Sequence, residues 1–311
     1  MAIQWFPGHM HLTRKAIEER IKDIDVVIEM LDARLPGSSA NPLLATLIQG
    51  RPALKVLSKQ DLADAQCTDL WLEHYNAMPN VRALSLDSSM KLPAKALMDA
   101  CQKLAPLRGG MAKPMRVLIC GIPNVGKSTL INTLKGKKSA KTGDEAGVTK
   151  VEQRIALADD FYLYDTPGML WPRIIVEKSG YNLAVSGAIG VNAFDDEEVS
   201  LELLHYLIAN YPKVLEARYK IKDAASHTDE TMLDAIARYR GAIQSGGRVN
   251  TTKAAEIVIH DFRSAALGRV TLETPKEFAQ WLAAGLQADA ERALRKQKLP
   301  KEKKLTKKAK S

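Results

Sequence analysis

The chain has 311 residues, of which 46% are hydrophobic and 26% charged, so it should fold into about two domains of roughly 150 residues rather than stay disordered or form a collagen-like fibre. The three cysteines include no C-x-x-C pair, which argues against a disulfide framework or a zinc knuckle. The chain has neither a signal-peptide start nor an apolar run of roughly 18 residues, so we expect it to be soluble and cytoplasmic, without a membrane partner. The formal net charge of +9 favours a polyanionic partner.

The first part of the chain, residues 1–175, alternates short apolar runs with helical stretches. This pattern is typical of an α/β domain with a mainly parallel sheet and flanking helices. The candidate strands are Val26–Leu31, Ala53–Leu57, Val81–Leu86, Arg116–Cys120, Val151–Leu157 and Phe161–Tyr164. The segment Lys103–Pro114 is rich in proline, glycine and cations, which predicts a linker between two halves that each carry motifs.

From about Glu197 onward the apolar residues recur at helical spacing, which predicts a smaller all-helical domain. One such set is Met232, Ile236 and Tyr239. We therefore place the α/β domain at 1–175, the helical domain at 176–290 and a tail at 291–311. The tail carries ten Lys or Arg against two Glu, a net of +8 that leaves about +1 for the rest of the chain. We expect it to be disordered and to bind a polyanion, or to act only as a solubilising extension.

The strongest motif is Gly121-Ile-Pro-Asn-Val-Gly-Lys-Ser-Thr129, a complete G-x-x-x-x-G-K-S between a predicted strand and a predicted helix. In such a loop, backbone N–H groups and the helix N-terminus cradle phosphates. Lys127 would act catalytically by bridging the β- and γ-phosphates, and the Ser128 hydroxyl would bind Mg²⁺. The expected nucleotide contacts are Asn124, Val125, Gly126, Lys127, Ser128 and Thr129. The strand and helix on either side argue against a chance glycine-rich turn.

A second phosphate-end motif, Asp165-Thr-Pro-Gly168, follows the candidate strand Phe161–Tyr164. Asp165 is expected to hold Mg²⁺ through water, and the Gly168 N–H is expected to contact the γ-phosphate. Between the two motifs lies Gly147-Val-Thr149, where Thr149 is placed to ligate Mg²⁺ in a catalytic switch loop. A capping or loop threonine is the competing interpretation.

A base-reading motif stands before the phosphate loop. Ser58-Lys59-Gln60-Asp61 follows a candidate strand and resembles the guanine motif N-K-x-D. Asp61 would accept hydrogen bonds from the guanine ring N–H and exocyclic amine, which adenine does not offer. Lys59 would lie across the base and brace the phosphate loop, while Ser58, in place of Asn, leaves that bracing open. Ser88 is a weaker candidate for the backbone contact to the guanine carbonyl. An ATPase with an accidental S-K-Q-D segment is the alternative.

The order of these motifs is inverted relative to the usual GTPase, because Asp61 precedes Lys127. The α/β domain is therefore predicted to be a circularly permuted P-loop GTPase domain, in which Lys103–Pro114 joins what are ordinarily the chain ends. The segment after Gly168 leads directly toward the helical domain. Hydrolysis could therefore reposition that domain.

Further signatures are Trp5-Phe-Pro-Gly-His9-Met10, Asp32-Ala-Arg34-Leu-Pro36 and Asp261-Phe-Arg263. Over about residues 3–290 the chain resembles the YlqF/RbgA family of circularly permuted GTPases, called ribosome biogenesis GTPase A. The resemblance implies a GTPase that binds GTP and GDP, acts late on the precursor of the large ribosomal subunit, contacts its rRNA through the helical domain and leaves after hydrolysis. A monomer is expected. The alternative is a GTP-dependent RNA-binding or tethering protein in which hydrolysis is incidental.

Two residues are candidates for assisting hydrolysis, because Met169 stands where Ras-like proteins have a water-orienting glutamine. His9, in a loop that Gly8 can make mobile, is the candidate catalytic group, and a packed or solvent-facing loop histidine is the alternative. Asn124 is the candidate ligand for K⁺, as in similar potassium-activated GTPases.

An RNA-binding face is predicted on the helical domain from its cations. The residues are Lys253, His260, Arg263 and Arg269. They would contact phosphates, which positions a protein on RNA without specifying sequence. The alternative is that they form the solvated side of amphipathic helices.

Overall fold

The computed structural model describes residues 3–48, 50–86, 93–110, 112–134 and 153–308. The strands are Val26–Asp32 (β1), Ala53–Ser58 (β2), Val81–Ser85 (β3), Met115–Gly121 (β4), Gln153–Ala158 (β5) and Phe161–Asp165 (β6). They form one sheet in the order β3-β2-β1-β4-β6-β5, with β5 antiparallel to β6 and the other neighbours parallel. The predicted α/β fold with a mainly parallel sheet is confirmed.

The central strands are apolar because both of their faces are covered. Every residue of β1 is buried, and β4 is buried except at Arg116, as expected for parallel strands inside a sheet. The edge strand β3 is only partly buried. The register pairs Asp32 with Ser58 and Ile119 with Asp165, so the carboxyl ends of β1, β2, β4 and β6 meet at one edge. Ligands of open α/β sheets bind at this edge.

Helices connect these strands and continue after the last one. Those of the first half are His9–Arg20 (α1), Pro36–Ser39 (α2), Pro42–Ile48 (α3), Ala65–Asn76 (α4), Pro93–Leu104 (α5) and Lys127–Leu134 (α6). Those of the second half are Glu177–Ser186 (α7), Asp196–Asn210 (α8), Pro212–Tyr219 (α9), Asp229–Arg240 (α10), Thr251–Arg263 (α11) and Pro275–Lys308 (α12). The helical C-terminal region is thus present.

The helices of the second half are held by caps and by a shared core. Thr228 closes a capping box at the start of α10, and Asn250 accepts the N–H of Lys253 at the start of α11. Leu204 and Phe262 belong to the same connected apolar core as the sheet residues. The helix predicted from Met232, Ile236 and Tyr239 is α10, in which Met232 and Ile236 are buried and Tyr239 is 50% exposed.

The tail differs from its prediction. Residues 291–308 continue α12 in helical conformation, where we expected a disordered segment. Ala, Leu, Lys, Arg, Gln and Glu favour helix, and extending an existing helix carries no nucleation cost, whereas Pro300 removes one backbone donor from it. No helix in the described ranges, including the long and strongly charged α12, meets the length and apolarity needed to cross a membrane.

Candidate nucleotide site

The loop between β4 and α6 has the backbone of a phosphate-binding loop. Asn124 and Gly126 adopt left-handed conformations, with φ of 57° and 95°. Such residues turn neighbouring N–H groups toward one side, which creates an anion-binding concavity. Because α6 begins at Lys127, its N-terminal end lies at the same place. The geometry therefore fits the sequence prediction for this loop.

Lys127 and Asp165 form a buried ion pair beside this loop. The Lys127 ammonium contacts Oδ1 of Asp165, and the two side chains are 6% and 3% exposed. Strand pairing brings them together, since β6, which ends at Asp165, lies directly beside β4. Ser128 is partly buried next to Lys127, and Thr129 is exposed. A carboxylate and a hydroxyl are hard oxygen ligands that suit Mg²⁺.

The segment around Gly168 packs directly onto the phosphate loop. A Cβ atom at Gly168 would lie 3.0 Å from both the Cα and the backbone nitrogen of Pro123. The N–H of Met169 donates to the Gly121 carbonyl at 3.0 Å, and the Thr166 hydroxyl donates to the Ile119 carbonyl at 3.0 Å. A side chain at 168 would therefore require the Pro123 backbone or the Gly168 segment to shift by a few tenths of an ångström.

Ser58 braces the phosphate loop although it is shorter than the asparagine of the N-K-x-D pattern. Its hydroxyl lies 2.6 Å from the Val125 carbonyl oxygen and 2.9 Å from that of Leu31, and donates its single proton to one at a time. The serine reaches the loop because it is the last residue of β2, next to β1. The open question about bracing is thus answered by a direct contact.

Lys59 adds a second brace. With φ of 58° it leaves the strand direction, and its ammonium donates to the Asn124 carbonyl at 2.8 Å and to Asp32 Oδ2 at 2.9 Å. Burial lowers the pKa of Lys59, as do the charges of Arg34 and Arg263, whereas the Asp32 carboxylate opposes that shift. The contact predicted between this lysine and the phosphate loop is therefore present in the geometry.

Asp61 lies in the short 3₁₀ turn Gln60–Leu62 with its side chain exposed. Its backbone carbonyl accepts a hydrogen bond from Arg269 Nε at 3.1 Å. Within the described residues, the carboxylate has no hydrogen-bond or ion-pair partner. It is accessible to a base placed over Lys59.

Asn124 makes a contact that the sequence did not indicate. Its Nδ2 donates to the Gly187 carbonyl at 2.9 Å. Gly187 ends α7 in a left-handed conformation, with φ of 83°. The phosphate loop is thus joined directly to the first helix of the helical region.

Three further residues were predicted for the site: His9, Ser88 and Thr149. His9 is exposed at the start of α1. The next residue, Met10, is buried with its sulfur 3.4 Å from the Leu170 nitrogen, so the N-terminal segment packs against the chain that follows Gly168. Ser88 and Thr149 lie outside the described residues.

The predicted RNA-binding face is only partly available. Arg263 Nε and Nη2 donate to the carbonyls of Val185 and Ala184 at 2.8 and 2.9 Å, so its assignment to an exposed RNA face was wrong. The physical reason is that these carbonyls lie in the last turn of α7, where a cation is favourable. By contrast, Lys253 has an exposed side chain, and that of His260 is 77% exposed.

Known proteins resemble this chain in sequence and in fold. Residues 116–234 match the protein family described as "50S ribosome-binding GTPase". The chain is 39% identical to ribosome biogenesis GTPase A of Priestia megaterium, over 90% of this chain and 99% of that protein. It is 40% identical to the protein of the same name in Bacillus pumilus, over 89% and 100%. Among solved structures, GNP-bound YlqF from T. maritima is similar with a TM-score of 0.61 at 24% identity, covering 85% of this chain and 98% of that one.

Proposed function

The chain belongs to the ribosome biogenesis GTPase A family, and from this membership we propose that it hydrolyses GTP on an immature large ribosomal subunit and leaves late in maturation. Its fold is that of a circularly permuted GTPase. The observation that carries the proposal is the convergence of the phosphate loop, Asp165 and the base motif Ser58–Asp61 at one edge of the sheet. A GTPase needs all three at one place.

At the phosphate end, Lys127 would bind the β- and γ-phosphates and exchange its contact with Asp165 for them. GTPases of this kind generally use Mg²⁺. Ser128, Thr149 and, through water, Asp165 would hold the ion, which neutralises charge that develops during phosphoryl transfer. The backbone of residues 124–129 and the N–H of Gly168 would complete the phosphate contacts.

At the base end, the exposed carboxylate of Asp61 would accept hydrogen bonds from guanine. An adenine there would leave this carboxylate without donors, which is a strong basis for discrimination. Lys59 and Ser58 hold the base loop and the phosphate loop together. Ser88 would add a backbone contact to the guanine carbonyl.

Hydrolysis needs a group that orients water, and Met169 cannot supply it because its side chain is apolar and 3% exposed. We assign this role to His9, which is exposed one residue from the contact between Met10 and Leu170. A K⁺ ion held by Asn124 would add positive charge at the β–γ bridge. Turnover in K⁺ buffer is expected to exceed turnover in Na⁺ buffer, and equal rates would remove Asn124 from this role.

The ribosomal contact is assigned to the helical region 176–290 and the tail 291–311. Lys253, His260 and Arg269 would meet rRNA phosphates, and the tail's net charge of +8 would add affinity. The protein would act as a monomer in the cytoplasm, where ribosomal subunits are assembled.

The test is GTP turnover with and without precursors of the large subunit, together with cosedimentation under a GTP analogue and under GDP. Strong stimulation and tighter binding with the analogue are expected. Unstimulated turnover would instead favour a tethering protein in which the nucleotide only sets conformation.

A further inference from the structure

Arg34 has no role in the proposed function, yet it is buried beside the nucleotide site with its side chain 2% exposed. Its Nε and Nη2 donate to the two carboxylate oxygens of Asp32 at 3.0 and 2.8 Å. Its Nη1 donates to the Phe262 carbonyl at 3.1 Å, and the guanidinium lies 4.5 Å from the centre of the Phe262 ring. Only a planar, forked cation makes these contacts together, so a lysine is not equivalent here.

Asp32 connects Arg34 to the base motif. The Asp32 Oδ2 atom that accepts from Arg34 also accepts from Lys59, whose ammonium reaches the Asn124 carbonyl. Burial alone would raise the pKa of Asp32, but the charges and hydrogen bonds of Arg34 and Lys59 hold that pKa well below its usual range. Asp32 is therefore a carboxylate at neutral pH, and charged contacts link the end of α11 to the phosphate loop.

A second set of contacts joins the same two parts of the molecule. Arg263, the last residue of α11, donates to the carbonyls of Ala184 and Val185 near the end of α7. Gly187, just beyond that end, accepts from Asn124. The end of α11 is thus connected to the phosphate loop both through Arg34 and through α7.

We propose that Arg34 is a positioning residue for nucleotide binding, through which the end of α11 fixes Asp32 and Lys59 against the phosphate loop. The inference rests on the proposed binding of guanine nucleotides. Without the guanidinium, Asp32 loses its bidentate partner and its link to Phe262, and Lys59 loses a fixed anchor. Through the same contacts, a nucleotide that moves Lys59 changes the binding of Arg34 to the end of α11.

The test is a double-mutant cycle on GDP affinity, with Arg34→Met, Lys59→Met and the double variant. Because the contact acts through a charged hydrogen bond, R34M is expected to weaken GDP binding about tenfold or more. In the K59M background, R34M is expected to change GDP affinity by less than about twofold, because the contact between Lys59 and the phosphate loop is already absent. Additive effects, or wild-type affinity in R34M, would overturn the inference.

The control is Arg108→Met. Arg108 Nε pairs with Asp25 Oδ1 at 2.9 Å, and Asp25 stands just before β1, at the end of that strand opposite to Asp32. R108M is expected to leave GDP affinity unchanged. An equal loss of affinity in R108M would overturn the inference by showing that the effect does not depend on the contacts of Asp32.

A further variant covers the case in which R34M fails to fold. Arg34→Lys keeps the charge opposite Asp32 but cannot hold Asp32 and the Phe262 carbonyl together, so GDP affinity is expected to fall about threefold. Wild-type affinity in R34K would overturn the inference while leaving the proposed function intact. A wild-type chain that binds no GDP would overturn the proposed function itself.

Discussion

The Glu273 carboxylate accepts a hydrogen bond from the backbone N–H of Ser38 at 2.6 Å, which joins the segment before α12 to helix α2. It also accepts from the Ser38 hydroxyl and from the Asn182 amide, so α7 takes part in the same contact. Glu273 is completely buried, and no cation pairs with it in the described part of the chain. Burial raises its pKa to about 7, although the hydrogen bonds from Ser38 and Asn182 oppose the shift.

This raised pKa predicts a pH-dependent stability. The folded state binds the Glu273 proton more tightly than the unfolded state does. The contribution of this proton to the free energy of unfolding is therefore full below about pH 4.5 and is lost as the pH rises through about 7. The loss is on the order of 3 kcal/mol. Glu273→Gln should flatten this part of the pH dependence, measured by urea unfolding between pH 5 and 8. Glu202→Gln, at a partly exposed surface pair, serves as control and should keep the wild-type slope. A wild-type slope in E273Q would show that other groups cause the pH dependence.

Ser58→Ala should weaken GDP binding by roughly five- to tenfold, because it removes the hydroxyl that lies 2.6 Å from the Val125 carbonyl. Calorimetric titration with GDP measures the change. Ser226→Ala removes a comparable hydroxyl contact, to the Asp223 carbonyl at 2.8 Å, on an exposed site and should leave GDP affinity unaltered. Equal affinities for S58A and wild type would mean that Lys59 alone braces the loop.

Gly168→Ala should reduce GTP turnover at least about tenfold, because the added methyl would lie 3.0 Å from the Pro123 backbone and push the two phosphate-contacting segments apart. Steady-state phosphate release is the measurement. Gly110→Ala is the matched control, since a Cβ at Gly110 meets no atom within 4 Å. Normal turnover in G168A would indicate that the segment carrying Gly168 relaxes without affecting the site.

The sequence predicted the sheet, the phosphate loop and the base motif because each depends on local pattern: buried apolar runs, a glycine-rich turn and a strand-end motif. It did not predict the ring contacts of Arg34 with Phe262 or the hydrogen bond from Asn124 to Gly187, because these join residues far apart in the chain. The contacts of Arg263 were not predicted for the same reason. An arginine near a helix end suits RNA phosphates and the carbonyls in the last turn of a neighbouring helix equally well, and the packing of α11 against α7 decides between them.

His9→Ala should lower ribosome-stimulated GTP turnover by about 10²-fold or more, because it removes the group assigned to orient the attacking water. GDP affinity should stay unchanged, since the histidine is assigned to water rather than to the nucleotide. His205→Ala is the control, since His205 is 65% exposed on α8 and pairs with Asp229. Full stimulated turnover in H9A would leave His9 as a solvent-facing residue of α1.

Deleting residues 291–311 should weaken binding to large-subunit precursors and flatten its salt dependence. The deletion removes a net charge of +8, and each lost phosphate contact reduces the slope of log affinity against log salt by about 0.7 to 0.9. It keeps the part of α12 that packs on the rest of the protein, where Phe278 meets Gly37 and Gly285 meets the Ile175 carbonyl, so folding and GDP affinity should be preserved. Sedimentation at several salt concentrations measures the slope, with Arg238→Gln, at an exposed position of α10, as a single-charge control. An unchanged slope would identify the tail as a solubilising extension, because phosphate contacts that release counterions cannot be lost without changing it.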